Sequence, residues 1–255
     1  MSVSKNLEVA FLVVSCDKYA DLWEPFFMLL DKYWPDRPFN VYLVANELQF
    51  KWPGVKVINV GADVSYADNL LKASESVKED WMLIWLEDLF FSAPVDTDRL
   101  ISLINRFKKF NSGYLKFAPD MPLAFQPEYK SEIGPLPKGI RYRSAIGGTL
   151  YHRTTLDKLL LPGSSAWDLD KSRVSDDLDD PFYALSPKSA ENPPISYENV
   201  LIKGKWSRVS LGFLRTEGFQ KLIRTRELES IFSLLYAKLY IFRLSIFRIL
   251  RLHWK

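Results

Sequence analysis

The sequence predicts an α/β protein with a mostly parallel central sheet and helices on both faces of that sheet. Short, continuously apolar segments rich in β-branched residues are typical of strands buried on both faces, and several occur in the first half of the chain. They alternate with segments whose apolar residues recur at helical spacing, which is the pattern of βαβ units. No linker interrupts the first 215 of the 255 residues, so one large domain is expected there.

The first half of the chain contains the clearest elements. Strands are predicted at 8–16, 39–45, 55–60, 81–86 and 113–118. Helices are predicted at 20–34, 65–79 and 95–110. The segment PDRP ends the first helix, Ser65 is the expected N-cap of the second, and Asp96 or Thr97 caps the third.

The second half is less regular. The segment 139–152 predicts two strands around a Gly-Gly bend, and 153–170 predicts two short helices separated by Pro162 and Gly163. An acidic loop is expected at 172–181 and a hairpin at 195–206.

Composition narrows the function classes. A single cysteine, Cys16, excludes an internal disulfide and fits a reducing compartment. The two histidines, His152 and His253, are too few for a His-rich metal site. No secretory signal and no run of eighteen uncharged apolar residues is present, so a cytoplasmic protein is expected.

The charge is unevenly distributed. Residues 220–255 hold eight basic and two acidic residues, a net charge of +6, so the rest of this +3 chain carries −3. An acidic body does not suggest nucleic-acid binding. The predicted second unit, 216–255, is a helical tail in which Arg243, Arg248, Arg251 and Lys255 fall within an arc of about 140°. It is expected to lie peripherally on the anionic inner face of the cell membrane, and the alternative is a core-packing or oligomerising helix.

Acidic side chains follow the ends of several predicted strands. In open α/β sheets, ligands bind outside the carboxyl ends of the strands. Asp17 and Asp63 come after the first and third strands, and Glu87 with Asp88 comes directly after the fourth. Mg²⁺ and Mn²⁺ prefer such oxygen ligands, often together with phosphate oxygens. Alternatively, an acidic pair can cap a helix or turn, or form a salt bridge with Lys or Arg.

Five motifs resemble those of small bacterial glycosyltransferases that build surface polysaccharides such as lipopolysaccharide O-antigen and capsule. They are VVSCDKYADLW, VINVGADVSYADNLLKA, WLEDLFF, SAWDLD and ISYENVLIKGKW, within residues 9–206. The resemblance implies the A-type (GT-A-like) fold of nucleotide-sugar glycosyltransferases. It further implies transfer of a sugar to a hydroxyl of a lipid-linked glycan. Inversion is favoured, and retention stays open.

The resemblance also implies roles for individual residues. The predicted nucleotide-sugar ligands are Cys16, Asp17, Asp63, Asp68, Asn69, Glu87, Asp88, Arg143 and Lys205. Glu87 and Asp88 are the candidate ligands of Mg²⁺ or Mn²⁺, but Glu-Asp replaces the family's usual Asp-x-Asp, so a metal-independent enzyme stays open. Asp170 is the expected catalytic base and Asp168 the second candidate, while Trp167 could stack on a sugar.

Several of these residues have simpler alternatives. Asp68 can be a first-turn charge at a helix N-terminus, and Arg141, Arg143, Lys203 and Lys205 can be surface charges rather than diphosphate ligands. Two other functions are also open. One is a sugar nucleotidyltransferase, although SCDKYADLWEP lacks a glycine-rich phosphate loop, and the other is a non-catalytic, membrane-associated binding module.

Overall fold

The fold was analysed in a computed structural model, which describes residues 8–117, 131–140, 142–170 and 173–249. The strands are β1 (Val9–Val14), β2 (Asn40–Ala45), β3 (Val55–Asn59), β4 (Trp81–Leu86), β5 (Leu89–Phe91), β6 (Tyr114–Lys116), β7 (Ile133–Leu136), β8 (Thr149–His152), β9 (Phe182–Leu185), β10 (Tyr197–Asn199), β11 (Leu201–Ile202) and β12 (Lys205–Trp206). The α-helices are α1 (Trp23–Tyr33), α2 (Tyr66–Glu75), α3 (Thr97–Phe107), α4 (Arg153–Leu159), α5 (Ala166–Asp170), α6 (Arg173–Asp177), α7 (Pro187–Ala190), α8 (Leu211–Thr216) and α9 (Ile231–Ile249).

Within the described residues, eight strands form one sheet in the order β3-β2-β1-β4-β8-β6-β9-β7. β1 pairs in parallel with both β2 and β4, and β8 and β7 run against the other six strands. This confirms the predicted α/β class with a mostly parallel sheet. The chain moves outward from β1 to β3 and then returns to β4 on the other side of β1, which creates a switch point between β1 and β4.

Two apolar layers cover the sheet, because alternate side chains of a strand point to opposite faces. Phe11 and Trp85 pack on one face with residues of α1 and α3. Leu12 and Ile84 pack on the other face with residues of α2 and α4. The continuously apolar strands are therefore explained by burial on both sides.

Most predicted elements of the first half are present. β4 has the predicted bounds, and the caps are confirmed at Ser65, which accepts a hydrogen bond from the Asp68 amide, and at Asp96, which accepts one from the Arg99 amide. One element was missed: β5 follows the acidic pair directly and pairs antiparallel with β10.

Two predictions for the second half are wrong. The segment before Gly148 holds turns rather than a first strand in its described part, and a single strand, β8, follows the bend. The segment predicted as an acidic loop contains the short helix α6. The two helices at 153–170 and the hairpin β11–β12 are confirmed.

The segment that directly follows α8 is held to the rest of the domain by hydrogen bonds. The Glu217 carboxylate accepts hydrogen bonds from Lys32 and Tyr33 at 2.6 Å each, and the Glu229 amide donates to the Trp206 carbonyl at 2.9 Å. The helical prediction for the tail is confirmed from Ile231, where α9 begins, whereas residues 217–230 form turns and a short 3₁₀ helix, Leu222–Arg224. Of its predicted basic residues, Arg251 and Lys255 lie outside the described residues, as does the side chain of Arg248.

Candidate active site

A cavity of about 430 Å³ opens at the switch point, beside the carboxyl ends of β1 and β4. Its described lining comes from the segments that follow these two strands, from β6, from the turn before β8, from the start of α5 and from the β10–β12 region. The lining residues are Tyr19, Leu86, Asp88, Leu89, Lys116, Tyr142, Ala145, Ile146, Gly147, Ala166, Trp167, Asn199, Leu201, Ile202, Lys203 and Gly204. Parts of the chain that are distant in sequence therefore meet around one cavity, as expected for a ligand site.

The two carboxylates after β4 have different surroundings. Asp88 lines the cavity, whereas Glu87 is buried and does not belong to the described lining. Val14 and Leu86 are register partners, so Ser15 and Glu87, which follow the two strands, are neighbours. Burial raises the pKa of the Glu87 carboxyl well above its usual range, and the adjacent charge of Asp88 raises this pKa further.

A buried lysine contributes a positive charge to the same cavity. Lys116 ends β6, is only 2% exposed, and its Nζ donates to the Gly147 carbonyl at 3.1 Å. Lysine is almost never fully buried without a role or a partner, because removing an ammonium from water is costly. Lys116 and Lys203 are thus the cationic members of the described lining, and Asp88 is the anionic one.

Two lining residues have an unusual backbone. Among the described non-glycine residues, Tyr142 with a φ of 63° and Lys203 with a φ of 52° are the two in the left-handed region. This region is unfavourable for residues with a Cβ, and such strain concentrates at ligand sites and switch regions. Both strained residues line the cavity, which supports its assignment as a functional site.

The SAWDLD motif contributes an aromatic ring to the cavity. Trp167 lines the cavity and is 62% exposed, so one face of its indole is accessible to a ligand. The Asp168 carboxylate accepts hydrogen bonds from the Ser165 amide at 2.9 Å and from its hydroxyl at 2.7 Å, which caps the start of α5. Position 170 follows Trp167 by three residues and Ala166 by four, which is the spacing of one helix face, and the side chain of Asp170 lies outside the described residues.

Arg226 connects the two segments that flank the cavity. Its guanidinium makes a bidentate ion pair with Asp21 and donates to the carbonyl of Lys18 at 2.9 Å. It also donates to the carbonyl of Gly204 at 3.4 Å and lies 4.7 Å from the centre of the Tyr19 ring. A planar guanidinium can pair and stack at the same time, so Arg226 fixes both Tyr19 and the β11–β12 turn.

Asp17 holds the loop that follows β2. Its two carboxylate oxygens accept hydrogen bonds from the backbone amides of Asn46, Glu47 and Leu48 at 2.9, 3.0 and 3.1 Å. Its own amide donates to the Asn46 side chain at 3.1 Å. The structure therefore gives Asp17 a loop-anchoring role at the predicted edge of the sheet, outside the described cavity lining.

The residues around the N-terminus of α2 form a separate local network. The side-chain amide of Asn69 donates to the Asp63 carboxylate at 2.8 Å. The Asp68 carboxylate accepts from the backbone amide of Gly163 at 2.9 Å. Hydrogen bonds from Ser65 and Gly163 lower the pKa of Asp68. Asp63, Asp68 and Asn69 do not belong to the described cavity lining.

Cys16 precedes the short 3₁₀ helix Asp17–Leu22, which carries the cavity residue Tyr19. Its carbonyl accepts a hydrogen bond from the Tyr19 amide at 2.9 Å. The thiol is half-buried, and burial raises its pKa. This environment disfavours the thiolate, so Cys16 has the character of a packing residue.

Of the predicted basic ligands, Lys203 lines the cavity, whereas Arg143 and Lys205 do not belong to its described lining. Arg143 is buried, donates to the Ser175 and Leu136 carbonyls and lies 4.2 Å from the centre of the Phe182 ring, which is the pattern of a structural core residue. Burial lowers the pKa of Arg143. Lys205 pairs with Glu227 at 2.6 Å. Arg141 lies outside the described residues.

The carboxylates at the cavity are poorly arranged to serve as ligands of a dedicated divalent-cation site. Glu87 and Asp88 do not converge, because only Asp88 lines the cavity. Across the described ranges, no three His, Cys, Asp or Glu side chains come close enough to hold a metal ion together. A cation here would depend on one protein carboxylate and on oxygens of the substrate.

Of the side chains discussed above, four were not predicted from the sequence as site residues: Tyr19, Lys116, Tyr142 and Arg226. A lysine at the end of an apolar strand is the available signal for Lys116, since a buried strand rarely ends in a charge without a partner. Arg226 gives no local signal, because its partner Asp21 lies 205 residues away in the chain.

No protein-family model matches the chain, and no curated protein matches it either. Among solved structures, residues 1–349 of Staphylococcus aureus TarS in complex with UDP-GlcNAc match 70% of this chain and 56% of theirs, at 12% identity and a TM-score of 0.48. A cytidylyltransferase from Leptospira borgpetersenii serovar Hardjo-bovis matches over 72% of this chain and 71% of its own, at 15% identity and a TM-score of 0.41. The chain thus spans little more than half of the TarS fragment. These similarities are too remote to carry a functional argument, which rests on the residues of the cavity.

Proposed function

We propose that the protein is a glycosyltransferase that uses a nucleotide-sugar donor bound at the switch-point cavity. The observation that carries the proposal is the convergence of Asp88, Lys116 and Trp167 on one cavity. A carboxylate accepts hydrogen bonds from sugar hydroxyls, an ammonium pairs with phosphate, and an indole packs on the apolar face of a sugar. A nucleotide sugar carries all three of these chemical features.

The donor's diphosphate would pair with Lys116, supported by Lys203 at the rim. Lys116 is buried, so its attraction to phosphate is screened less by water than that of a surface lysine. Lys203 is exposed and lies in the β11–β12 turn, which Arg226 ties to the segment after β1. This arrangement would neutralise the phosphate charge without a divalent cation. It corresponds to the metal-independent enzyme that the Glu-Asp sequence leaves open.

The transfer step would follow the ordinary course of an inverting reaction. The acceptor hydroxyl oxygen forms a bond to the anomeric carbon while the bond from that carbon to the diphosphate oxygen breaks. The leaving nucleoside diphosphate keeps the electron pair of the broken bond, and Lys116 stabilises its charge. The acceptor proton passes to a general base, for which Asp170 is proposed because its position shares the helix face of Trp167. Asp168 is less suited, since its carboxylate caps α5.

The proposed acceptor is a hydroxyl of a lipid-linked surface glycan, such as an O-antigen or capsule precursor. The support for this class is the motif resemblance and the apolar helix α9, which lies against the cavity wall through a 3.2 Å contact between the Tyr142 and Tyr240 hydroxyls. An enzyme working at the inner face of the cell membrane would meet such an acceptor in two dimensions, at a raised effective concentration.

A thermal-shift screen of nucleoside monophosphates, diphosphates and nucleotide sugars, with and without Mn²⁺, tests the proposal. A ligand at 100 times its dissociation constant stabilises the folded state by about 2.7 kcal/mol, which corresponds to a shift of roughly 5 to 10 °C for a chain of this size. We expect diphosphate compounds to raise the melting temperature more than monophosphates and without requiring Mn²⁺. UDP-GlcNAc is a rational member of the panel.

The control is Asp88→Asn, which should reduce the shift given by the nucleotide sugar more than the shift given by the free nucleoside diphosphate. The absence of a shift with every nucleotide would contradict the proposal and would favour a non-catalytic binding module. A shift accompanied by formation of a nucleotide sugar from a nucleoside triphosphate would instead identify a nucleotidyltransferase.

A further inference from the structure

Helix α9 carries a large exposed apolar surface. Phe232 is 83% exposed, Leu239 67% and Phe242 65%, although side chains of this type are normally buried. Exposed apolar patches of this kind mark interaction sites for proteins or membranes.

These residues form one continuous band along the helix. At about 100° per residue, six of the eight large apolar side chains of α9 that the structure describes as exposed fall within an arc of about 100°, and Tyr236 and Ile241 lie outside it. This band, here called the outer stripe, consists of Ile231, Phe232, Leu235, Leu239, Phe242 and Ile246. The side of α9 that contacts the body carries the less exposed residues Ser233, Ala237 and Tyr240.

Positive charges border the outer stripe on both sides. Lys238 lies about 20° beyond one edge of the stripe and Arg243 about 20° beyond the other, and both side chains are exposed. The α9 sequence contains no acidic residue. An apolar centre between cationic borders is the pattern of a helix that lies in the interface of an anionic membrane, where the apolar face enters the acyl boundary and the cations meet lipid phosphates.

Two other arrangements agree less well with these residues. In the described ranges no helix has both the length and the hydrophobicity needed to cross a bilayer. In a second copy packed against the stripe, Lys238 and Arg243 of one α9 would approach the same cations of the other, which is unfavourable.

We infer that the outer stripe of α9 docks on an anionic lipid bilayer, with the helix axis parallel to the membrane plane and with Lys238 and Arg243 at the phosphate level. The sequence analysis predicts a peripheral helix with its basic residues on one face, and the structure adds which exposed apolar residues form the lipid-contacting stripe and which cations border it. It does not depend on the proposed function. The hydrogen bond between Tyr240 and Tyr142 also places the cavity wall beside the docked helix.

The test is co-sedimentation of the full chain with two kinds of vesicle, phosphatidylcholine alone and phosphatidylcholine mixed with phosphatidylglycerol. We expect the wild type to pellet with the mixed vesicles and to dissociate as salt concentration rises. The double variant Phe232→Ser and Leu239→Ser should lose about tenfold or more in partitioning, because it removes apolar groups that contact lipid.

The matched control is the double variant Met28→Ser and Leu48→Ser, which removes two exposed apolar residues outside α9 and should pellet like the wild type. The variant Lys238→Gln and Arg243→Gln should lose the preference for phosphatidylglycerol. Circular dichroism and melting temperatures establish that each variant is folded.

Two results would overturn the inference. One is equal pelleting of the wild type and the serine double variant of α9, or no pelleting of either. The other is a wild-type dimer in lipid-free solution that the same serine variant converts to a monomer, which would identify a second copy as the partner of the outer stripe.

Discussion

Glu87 and Asp88 are adjacent in the chain but belong to different environments: Glu87 is buried beside the end of β1, whereas Asp88 lines the cavity. Successive residues at a strand end point in different directions, so an adjacent acidic pair need not act as a pair of ligands. This relationship separates a structural from a functional carboxylate.

The two carboxylates should therefore respond differently to amide substitution. Asp88→Asn should weaken nucleotide-sugar binding roughly tenfold to a hundredfold, because it removes a charged hydrogen-bond acceptor worth about 1.5 to 3 kcal/mol. Glu87→Gln should retain binding within about threefold, since burial already favours the neutral form of this side chain. Titration calorimetry measures both, and equal losses in the two variants would refute the separation.

The two carboxylates of SAWDLD should also have different roles, and the rate of sugar transfer should distinguish them. Asp170→Asn should lower kcat by about a hundredfold or more while donor affinity is retained, as expected when a general base is removed. Asp168→Asn should lower stability by about 1 kcal/mol through its contacts with Ser165 and should largely retain kcat. If Asp170→Asn kept full activity, a different base would have to be sought.

Arg226 is expected to act as a positioning residue. Arg226→Lys keeps the charge but loses the bidentate pair with Asp21 and the stacking on Tyr19, so the KM for the donor should rise about tenfold with a smaller change in kcat. Arg37→Lys is a matched control, because Arg37 pairs with Asp31 away from the described cavity lining. Similar KM values for the two variants would contradict a positioning role.

Asp17 should be important for stability through the loop after β2. Asp17→Asn removes a carboxylate that accepts from three backbone amides and should cost about 1 to 2 kcal/mol in the free energy of unfolding. Asp63→Asn keeps an oxygen that can accept from Asn69 and loses a 3.9 Å surface contact with Lys18, so it should change this free energy by less than about 0.5 kcal/mol. Urea denaturation of both variants provides the comparison, and equal stability of Asp17→Asn and wild type would refute the anchoring role.

The sequence predicted the parallel core well, because its strands are buried on both faces and have an unambiguous apolar pattern. The bounds of β4 and the position of the acidic pair follow from that pattern. Asp88 and Trp167 were predicted as ligand contacts and do line the cavity.

The rest of the site depends on contacts between distant segments, which a local pattern does not contain. In the sequence, Lys116 cannot be distinguished from an ordinary surface lysine. Its role depends on the pairing of β6 with β8, which brings its ammonium into hydrogen-bond contact with the Gly147 carbonyl. The sequence indicates a diphosphate ligand or a surface charge at Arg143, but in the structure this side chain is buried against Phe182 and belongs to the core.

The most direct test of the central claim is the affinity of the best nucleotide-sugar donor for the wild type and for Lys116→Met, measured by titration calorimetry in the presence of EDTA. Methionine has a similar shape and suits a buried site, so the variant should fold. Lys108→Met serves as a control outside the described cavity lining. We predict that the wild type and Lys108→Met bind the donor in EDTA and that Lys116→Met binds about a hundredfold more weakly. Unchanged affinity in Lys116→Met, or loss of wild-type binding in EDTA, would contradict the account.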